Sequence, residues 1–403
     1  MNFKKTFRII HLWLGLTSGL IIVILGITGC IYAFINEIVP VVYHEKLFVR
    51  QAADDPLPIT QLIDIAQQRW GLEKPVSTVE IYNDKNRTVH FRAFKESTES
   101  GMWYWDEKEY YESIFLNPYT GELISHENSE FDFFRIVLYL HWSLLLNTAI
   151  GKTIVGMATL IFTFSLISGL ILWWPKNKQA KKARYWFKWK NSTGWKRKVF
   201  DLHNIPGFYS LFFALIFALT GLFWAFEWVG NSAKWLANSG NTYTSLPQVL
   251  SDSTALAKQN PFPLILESAS RQYPDAIAYT FYFPRTPVSP INIVVRKEPS
   301  SASVTQQYDQ YSGALLRTLV FEDKNPGEKL EELNYDIHVG SIGGLAGKLL
   351  AFVISFICAT LPISGFLIWY NRHWGKKKRK SSQGESSSST GSETAFDVHS
   401  SSR

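Results

Sequence analysis

Two stretches of this chain carry the same pattern, and each is long and apolar enough to cross a bilayer. IIHLWLGLTSGLIIVILGITGCIYAF opens at Ile9 and DLHNIPGFYSLFFALIFALTGLFWAF opens at Asp201. His11 precedes Thr28 by seventeen residues and Phe34 by twenty-three, and His203 precedes Thr220 and Phe226 by the same intervals. At 1.5 Å of rise per residue, each interval from His to Phe spans about 35 Å, roughly one hydrocarbon core. Gly15 and Gly207 follow their histidines by four residues, on the same helix face one turn on. Each copy therefore sets a hollow beside an imidazole.

With 403 residues, 46% apolar and 15% aromatic, the chain is too polar for a wholly buried transporter and too apolar for a soluble enzyme. Uncharged runs predict four spans, Ile9 to Ile35, Thr153 to Trp174, Phe208 to Phe226 and Leu349 to Tyr370. The net charge of +7 is concentrated beside them: Lys4, Lys5 and Arg8 before the first, ten Lys or Arg between Pro175 and Lys198, and Arg372 with Lys376 to Lys380 after the fourth. The positive-inside rule then puts both termini in the cytoplasm and both large loops outside. Basic residues that flank spans report topology and give no ground for a nucleic-acid partner. Cys30 and Cys358 fall inside spans, which leaves the outer loops without a disulfide framework. ITGC ending at Cys30 could be taken for a lipoprotein signal, but Thr220-Gly221-Leu222 repeats its Thr-Gly without the Cys, so the pair belongs to the helix pattern.

These features predict an integral membrane α-helical protein with four transmembrane helices from an internal duplication and two outer α+β domains. The expected segments are 1–43, transmembrane helix 1; 44–130, outer domain 1; 131–175, an outer-face helix and transmembrane helix 2; 176–198, a basic cytoplasmic loop; 199–229, transmembrane helix 3; 230–335, outer domain 2; 336–375, transmembrane helix 4; and 376–403, a disordered polar tail. In outer domain 1, PLPITQLIDIAQQRWGL has helical spacing with Thr60 as N-cap, and VSTVEIYN, TVHFRAF and YESIFLNP alternate like strands. Outer domain 2 repeats this as FPLILESASRQYP followed by AYTFYF, INIVVRK and SVTQQYDQ. MWYWDEKEYY, Met102 to Tyr111, reads as a hydrophobic hairpin with a charged tip, or as a contact surface for a ligand.

A second repeat leads back into the membrane. His141 precedes Gly151-Lys152 and Ser168-Gly169 much as His338 precedes Gly347-Lys348 and Ser364-Gly365, and Trp173 and Trp369 close the spans. With the topology above, His11 and His203 lie at the cytoplasmic face and His141 and His338 at the outer face, two pseudo-symmetric pairs and so two sites. Neutral imidazole suits iron, copper or zinc, but closed zinc sites take four protein ligands and no Cys, Asp or Glu repeats beside these histidines. Haem takes two axial imidazoles in an apolar slot, which Trp13, Phe208, Phe212 and Trp142 could furnish. Bis-His haem b, two per chain, fits better than a bare metal, with all four histidines as axial ligands. Arg8, Arg197 and Lys198 could neutralise propionates at the inner site, and Lys152 and Lys348 at the outer one. His44, His90, His126 and His373 read as ordinary surface or interface residues. Glu37 and Glu227, out of repeat register with one another, read as solvated. No residue has the setting of an acid–base catalyst.

The H-x3-G and T-G pattern of spans 1 and 3, the His, Gly-Lys, Ser-Gly and Trp series of spans 2 and 4, and the Tyr119-Thr-Gly-Glu-Leu and Tyr311-Ser-Gly-Ala-Leu ends of the outer domains resemble the PepSY-associated transmembrane helix family. The resemblance covers about residues 4 to 375. It implies PepSY-like periplasmic domains in a bacterial inner membrane and electrons carried by haem to ferric siderophore, with the ligand role on His11, His141, His203 and His338. Some relatives are fused to a flavin reductase domain. This sequence has no Gly-rich nucleotide fingerprint, so the electron donor is expected to be separate, a flavin reductase or quinone. The expected partners are thus membrane lipid, a ferric siderophore or other ferric chelate, and that donor. Two other readings are a non-redox siderophore-uptake accessory or permease component, which four uncharged spans weaken, and a membrane-anchored peptide-binding or peptidase-inhibiting protein, for which four histidines at repeated positions would be superfluous.

Overall fold

The computed structural model describes residues 3–99, 101–175, 177, 182, 184–243, 246–253, 260–297 and 303–374. The polar tail expected over 376–403, and part of the basic loop, lie outside the described residues. In chain order the elements are α1 (Phe3–Tyr32), α2 (Ile35–Val42), α3 (His44–Leu47), α4 (Ile59–Trp70), β1 (Thr78–Tyr82), β2 (Val89–Glu96), β3 (Lys108–Leu116), β4 (Leu123–Asn128), α5 (Phe133–Ser143), α6 (Thr148–Trp173), α7 (Trp195–Ala225), α8 (Glu227–Ala237), α9 (Phe262–Gln272), β5 (Ala278–Tyr282), β6 (Ile291–Arg296), β7 (Val304–Tyr308), β8 (Leu315–Leu319), α10 (Pro326–Val339) and α11 (Gly344–His373).

Helices α1, α6, α7 and α11 are long and apolar enough to span a membrane. They form a four-helix bundle in which α1 and α7 are diagonal, each packed on both α6 and α11. Their outward faces carry exposed apolar side chains such as Leu20, Phe164, Phe212 and Phe356, as a lipid-facing surface requires. Close approach comes from small residues: Gly26 of α1 sits against Ser355 and Ala359 of α11, where an added Cβ would lie 2.7 Å from the Ser355 carbonyl oxygen. The helices run past the uncharged runs that mark them in the sequence. The first turns of α7 carry Arg197 and Asp201, paired at 2.8 Å (Nε to Oδ2), so these charges extend the helix instead of ending it.

The α+β regions were expected as two separate domains, but they share one antiparallel sheet of order β4-β3-β2-β1-β5-β6-β7-β8. Strands β1 and β5 are each five residues long and pair along their whole length, Thr78 opposite Tyr282 and Tyr82 opposite Ala278. Each satisfies the edge the other would leave open. Helices α4 and α9 cover one face, burying Leu62, Ala66, Phe262 and Ile265 against Phe91, Ile114, Phe281 and Ile293. Each buried Phe contributes on the order of 2 kcal/mol. The opposite face, with Arg92, Ser113 and Phe115, lines a cavity shared with Leu138 of α5 and Lys348 of α11.

Three local expectations need correction. Helix α4 begins at Ile59 with Pro58 in the N-cap position, which places Thr60 inside its first turn. The stretch from Met102 to Tyr111 is a brace: Tyr104 is fully buried with its hydroxyl donating to the Glu130 carbonyl at 2.5 Å, and the Glu107 carboxylate accepts from the Thr148 amide at 2.7 Å and hydroxyl at 2.8 Å, satisfying the start of α6. The helix carrying His338 starts at Pro326, inside the segment assigned to outer domain 2, with Asn325 and Glu328 forming a capping box.

Candidate functional site

The four repeated histidines meet in two pairs. His11 and His203, from the diagonal helices α1 and α7, face one another with ring centres 6.2 Å apart and planes at 78°. His141 and His338, from α5 and α10, lie 6.1 Å apart at 76°. The pairs are separated along α1 by the seventeen residues from His11 to Thr28, which contacts His141, a rise of about 26 Å.

Each imidazole is held by a hydroxyl-glycine step on a neighbouring helix. His11 Nδ1 lies 2.9 Å from Ser168 Oγ and 3.1 Å from the Ser165 carbonyl, and His203 Nδ1 lies 2.9 Å from Ser364 Oγ and 3.1 Å from the Leu361 carbonyl. His141 and His338 meet Thr28 and Thr220 hydroxyls, both at 2.8 Å. All four hydroxyls already donate to carbonyls of their own helices, Ser168 to Ser165, Ser364 to Leu361, Thr28 to Ile24 and Thr220 to Ile216. A hydroxyl whose proton is committed can only accept. Nδ1 must therefore be the protonated nitrogen, and Nε2 is left with a bare lone pair. No hydrogen bond reaches any of the four Nε2 atoms among the described residues.

The glycine after each hydroxyl makes room for the ring. A Cβ at Gly169 would come 3.2 Å from His11 Cε1, at Gly365 3.3 Å from His203 Cε1, at Gly221 3.5 Å from His338 Cε1 and at Gly29 3.6 Å from His141 Cε1. The recurring Thr-Gly and Ser-Gly pairs are thus cradles for the imidazoles. Their repetition is visible in the sequence, but nothing there says that the partner of each is a histidine more than a hundred residues away.

A cavity of about 790 Å³ opens beside the His11–His203 pair. His11, His203, Gly15, Gly207 and Arg8 all line it, and a Cβ at Gly15 would meet nothing within 4 Å. Lys4, Lys5, Arg184 and Arg372 add to the cationic rim, and no carboxylate lines the cavity among the described residues. Their part was missed because Arg184 and Arg372 reach it from segments remote in sequence. Arg197, expected here, is paired with Asp201 instead. The aromatic wall also differs from expectation: Trp13 and Phe212 are 62% and 66% exposed and face away, whereas Phe208 stacks on Trp173 at 3.7 Å and both line the cavity.

At the His141–His338 end of the bundle, Lys152 lies 5.8 Å from the centre of the Trp142 ring, and Lys348 is paired with Glu37 at 2.5 Å (Nζ to Oε1). Glu37 is therefore a counter-ion to Lys348 as well as a solvated charge, its side chain being 47% exposed. His90 also departs from the surface role expected of it. Its ring nitrogens lie 3.5 Å from the Glu80 carboxylate and 2.9 Å from the Ser113 hydroxyl, and it stacks on Phe115.

The spacing of each pair can be compared with what a shared metal requires. Two metal–imidazole bonds of about 2 Å, plus a ring half-width of roughly 1 Å on each side, sum to about 6 Å between ring centres. Both pairs match this separation, and the hydrogen bonds from Nδ1 to the Ser and Thr hydroxyls leave Nε2, the nitrogen that a metal needs. No group of three or more His, Cys, Asp or Glu gathers to hold a metal among the described residues. Two imidazoles per site are too few for a closed zinc centre but suffice for a metal that brings its own equatorial ligands. No curated protein matches the chain closely enough to supply a named relative. The model of the PepSY-associated TM region family matches residues 8–372, which include both histidine pairs, all four cradles and the whole sheet, and the chain is a membrane protein belonging to that family.

Proposed function

We propose that this protein is a di-haem electron carrier of a bacterial inner membrane that reduces ferric siderophore at the periplasmic face for iron acquisition. The observation that carries this reading is the geometry of two facing imidazole pairs, each about 6 Å between ring centres with Nδ1 tied down and Nε2 free. His11 and His203 would hold one haem b and His141 and His338 the other. When bound, haem supplies a reversible one-electron couple that no side chain of this bundle offers. Gly15 leaves room for a flat group beside the inner pair, whereas a Cβ at Gly207 would come 3.2 Å from Leu361, and Arg8 with the other cations of that cavity would neutralise its propionates.

The overall change is one electron per iron. Fe(III) in an oxygen chelate becomes Fe(II), a softer ion that such a chelate holds weakly, and the electron comes from a separate quinol or reduced flavin. The reading includes an internal duplication, PepSY-like modules in the periplasm and cytoplasmic termini. It is supported by the repeated order of elements on either side of the β1–β5 pairing and by the cations at the His11 end of the bundle.

A dithionite-reduced minus oxidised spectrum of the purified protein, with a pyridine haemochrome assay, tests this. A low-spin b-type band and about two haems per chain are expected. A colourless protein from cells given ample haem would overturn the reading and favour the membrane-anchored peptide-binding one. Gly15→Leu adds a sharper check, because its side chain would enter open space and better helix propensity favours α1 by up to about 1 kcal/mol. The variant should fold normally yet carry about one haem, as read by the same assay; retention of two would mean that the cavity is not the haem slot.

A further inference from the structure

A second cavity, of about 960 Å³, lies between the sheet and the outer end of the bundle. It begins one turn beyond the outer histidine pair. Tyr32, four residues after Thr28, and Leu138, three before His141, both line it. Its walls carry seven cationic side chains and three carboxylates, Glu37, Glu127 and Asp132.

The pairing within it is uneven. Lys46 is matched by Glu127 at 2.6 Å and Lys348 by Glu37 at 2.5 Å. Arg92 and Arg296 share one carboxylate, Glu80, at 3.1 and 3.3 Å. Arg87 and Arg135 have no carboxylate within ion-pair distance among the described residues. Arg87 lies 4.0 Å from the centre of the Tyr82 ring, and its buried Nε has no hydrogen-bond partner. Arg135 donates to the Tyr111 hydroxyl at 2.7 Å. A buried donor without an acceptor costs about 1–3 kcal/mol, and guanidinium groups gathered without counter-ions repel one another. A ligand with several anionic oxygens would relieve both penalties, and the volume is that of a small-molecule site.

We infer that this cavity binds a polyanionic ferric chelate ligated through oxygen, of hydroxycarboxylate or catecholate type, in preference to a neutral or cationic hydroxamate complex. The iron in this assignment rests on the electron-transfer reading above, while the preference for anions rests on the cavity alone. Arg87 and Arg135 would meet the ligand's free charges, and the position next to His141 and His338 would put the iron beside the outer pair.

Gallium(III) citrate, a redox-inert polyanion, tests binding apart from reduction. Titrated calorimetrically into the haem-loaded full-length protein, it should bind, and more weakly as salt rises. A cationic gallium trihydroxamate complex should bind at least tenfold less tightly. The double variant Arg87→Gln/Arg135→Gln orphans no carboxylate and should fold; it should lose at least tenfold in citrate-complex affinity and keep about two haems per chain. Equal affinity for both gallium complexes, or no effect of the variant, would overturn the inference. Loss of one haem in the variant would also overturn it, by showing that these arginines hold propionates. Binding that disappears only in phosphatidylglycerol nanodiscs would assign the cavity to a lipid headgroup instead. A haem-loaded protein that ignores gallium citrate would sink the anion site and leave the proposed function standing, whereas a haem-free protein that binds it would do the reverse.

Discussion

Replacing His338 by Ala is expected to lower haem content from about two per chain to about one, and to abolish reduction of ferric chelate while the remaining haem still takes electrons from dithionite. His338 shares its site with a single other imidazole, so its loss leaves one protein ligand. The pyridine haemochrome assay and a stopped-flow trace of re-oxidation by ferric citrate check both parts. Thr220→Val gives the graded version. It keeps the shape of the side chain but removes the hydroxyl that fixes His338 in its Nδ1–H form at 2.8 Å, and losing the hydrogen-bond partner of a ligating imidazole costs about 10–100-fold in retention of the bound group. A Thr220→Val protein that holds its haem as firmly as the parent would mean that the hydroxyl does not set the tautomer.

The second large effect lies in the sheet. Glu80 is buried, which alone would raise its pKa, yet the hydrogen bond from His90 and the charges of Arg92 and Arg296 hold it down to about 2. His90 is held down to about 4, first by burial and then by Arg92, against the opposing pull of Glu80. Glu80→Gln removes the one carboxylate between two arginines. It should cost about 3 kcal/mol, the low end for a broken buried pair because Arg92 and Arg296 keep 27% and 40% exposure. The pH dependence follows from the same groups. His90 has a lower pKa folded than unfolded, so its contribution is complete above the ordinary value of 6.5 and falls away as pH drops towards 4, by about 3 kcal/mol in all. Glu80, also lowered, holds its contribution above 4.5 and loses it as pH falls towards 2. Thermal unfolding in detergent at pH 7, 5.5 and 4.5 should show stability dropping in that order. A His90→Asn variant should flatten the curve between pH 6.5 and 4.

The sequence makes the histidine pairs legible because they repeat. His11 and His203 stand at matched intervals from Thr28 and Thr220, and a repeat in a bundle brings equivalent faces together. The cradles were visible as Thr-Gly and Ser-Gly pairs but not as cradles, since which helix lies beside which is decided by contacts such as Gly26 against Ala359. Lys348 and Glu37 escaped for a related reason. Their pairing joins α2 to α11 across the repeat and obeys no register within it. The α+β regions were legible strand by strand. The single sheet was not, because nothing in the alternation of TVEIY or AYTFY says whether its open edge meets water or another strand.

Each histidine pair takes one ring from residues before the basic loop and one from residues after it, and the sheet is closed at its middle by one strand from each side. Neither half could complete a two-imidazole site by itself, and a half alone would present an unsatisfied β-strand beside two unmatched rings. Two copies of a half joined about a two-fold axis would cure all three defects at once. The present chain joins both sets of elements in one polypeptide, and the freedom gained is asymmetry: Glu80, His90 and Arg92 all come from the first half, so one half of the sheet can specialise while both pairs of facing imidazoles stay intact.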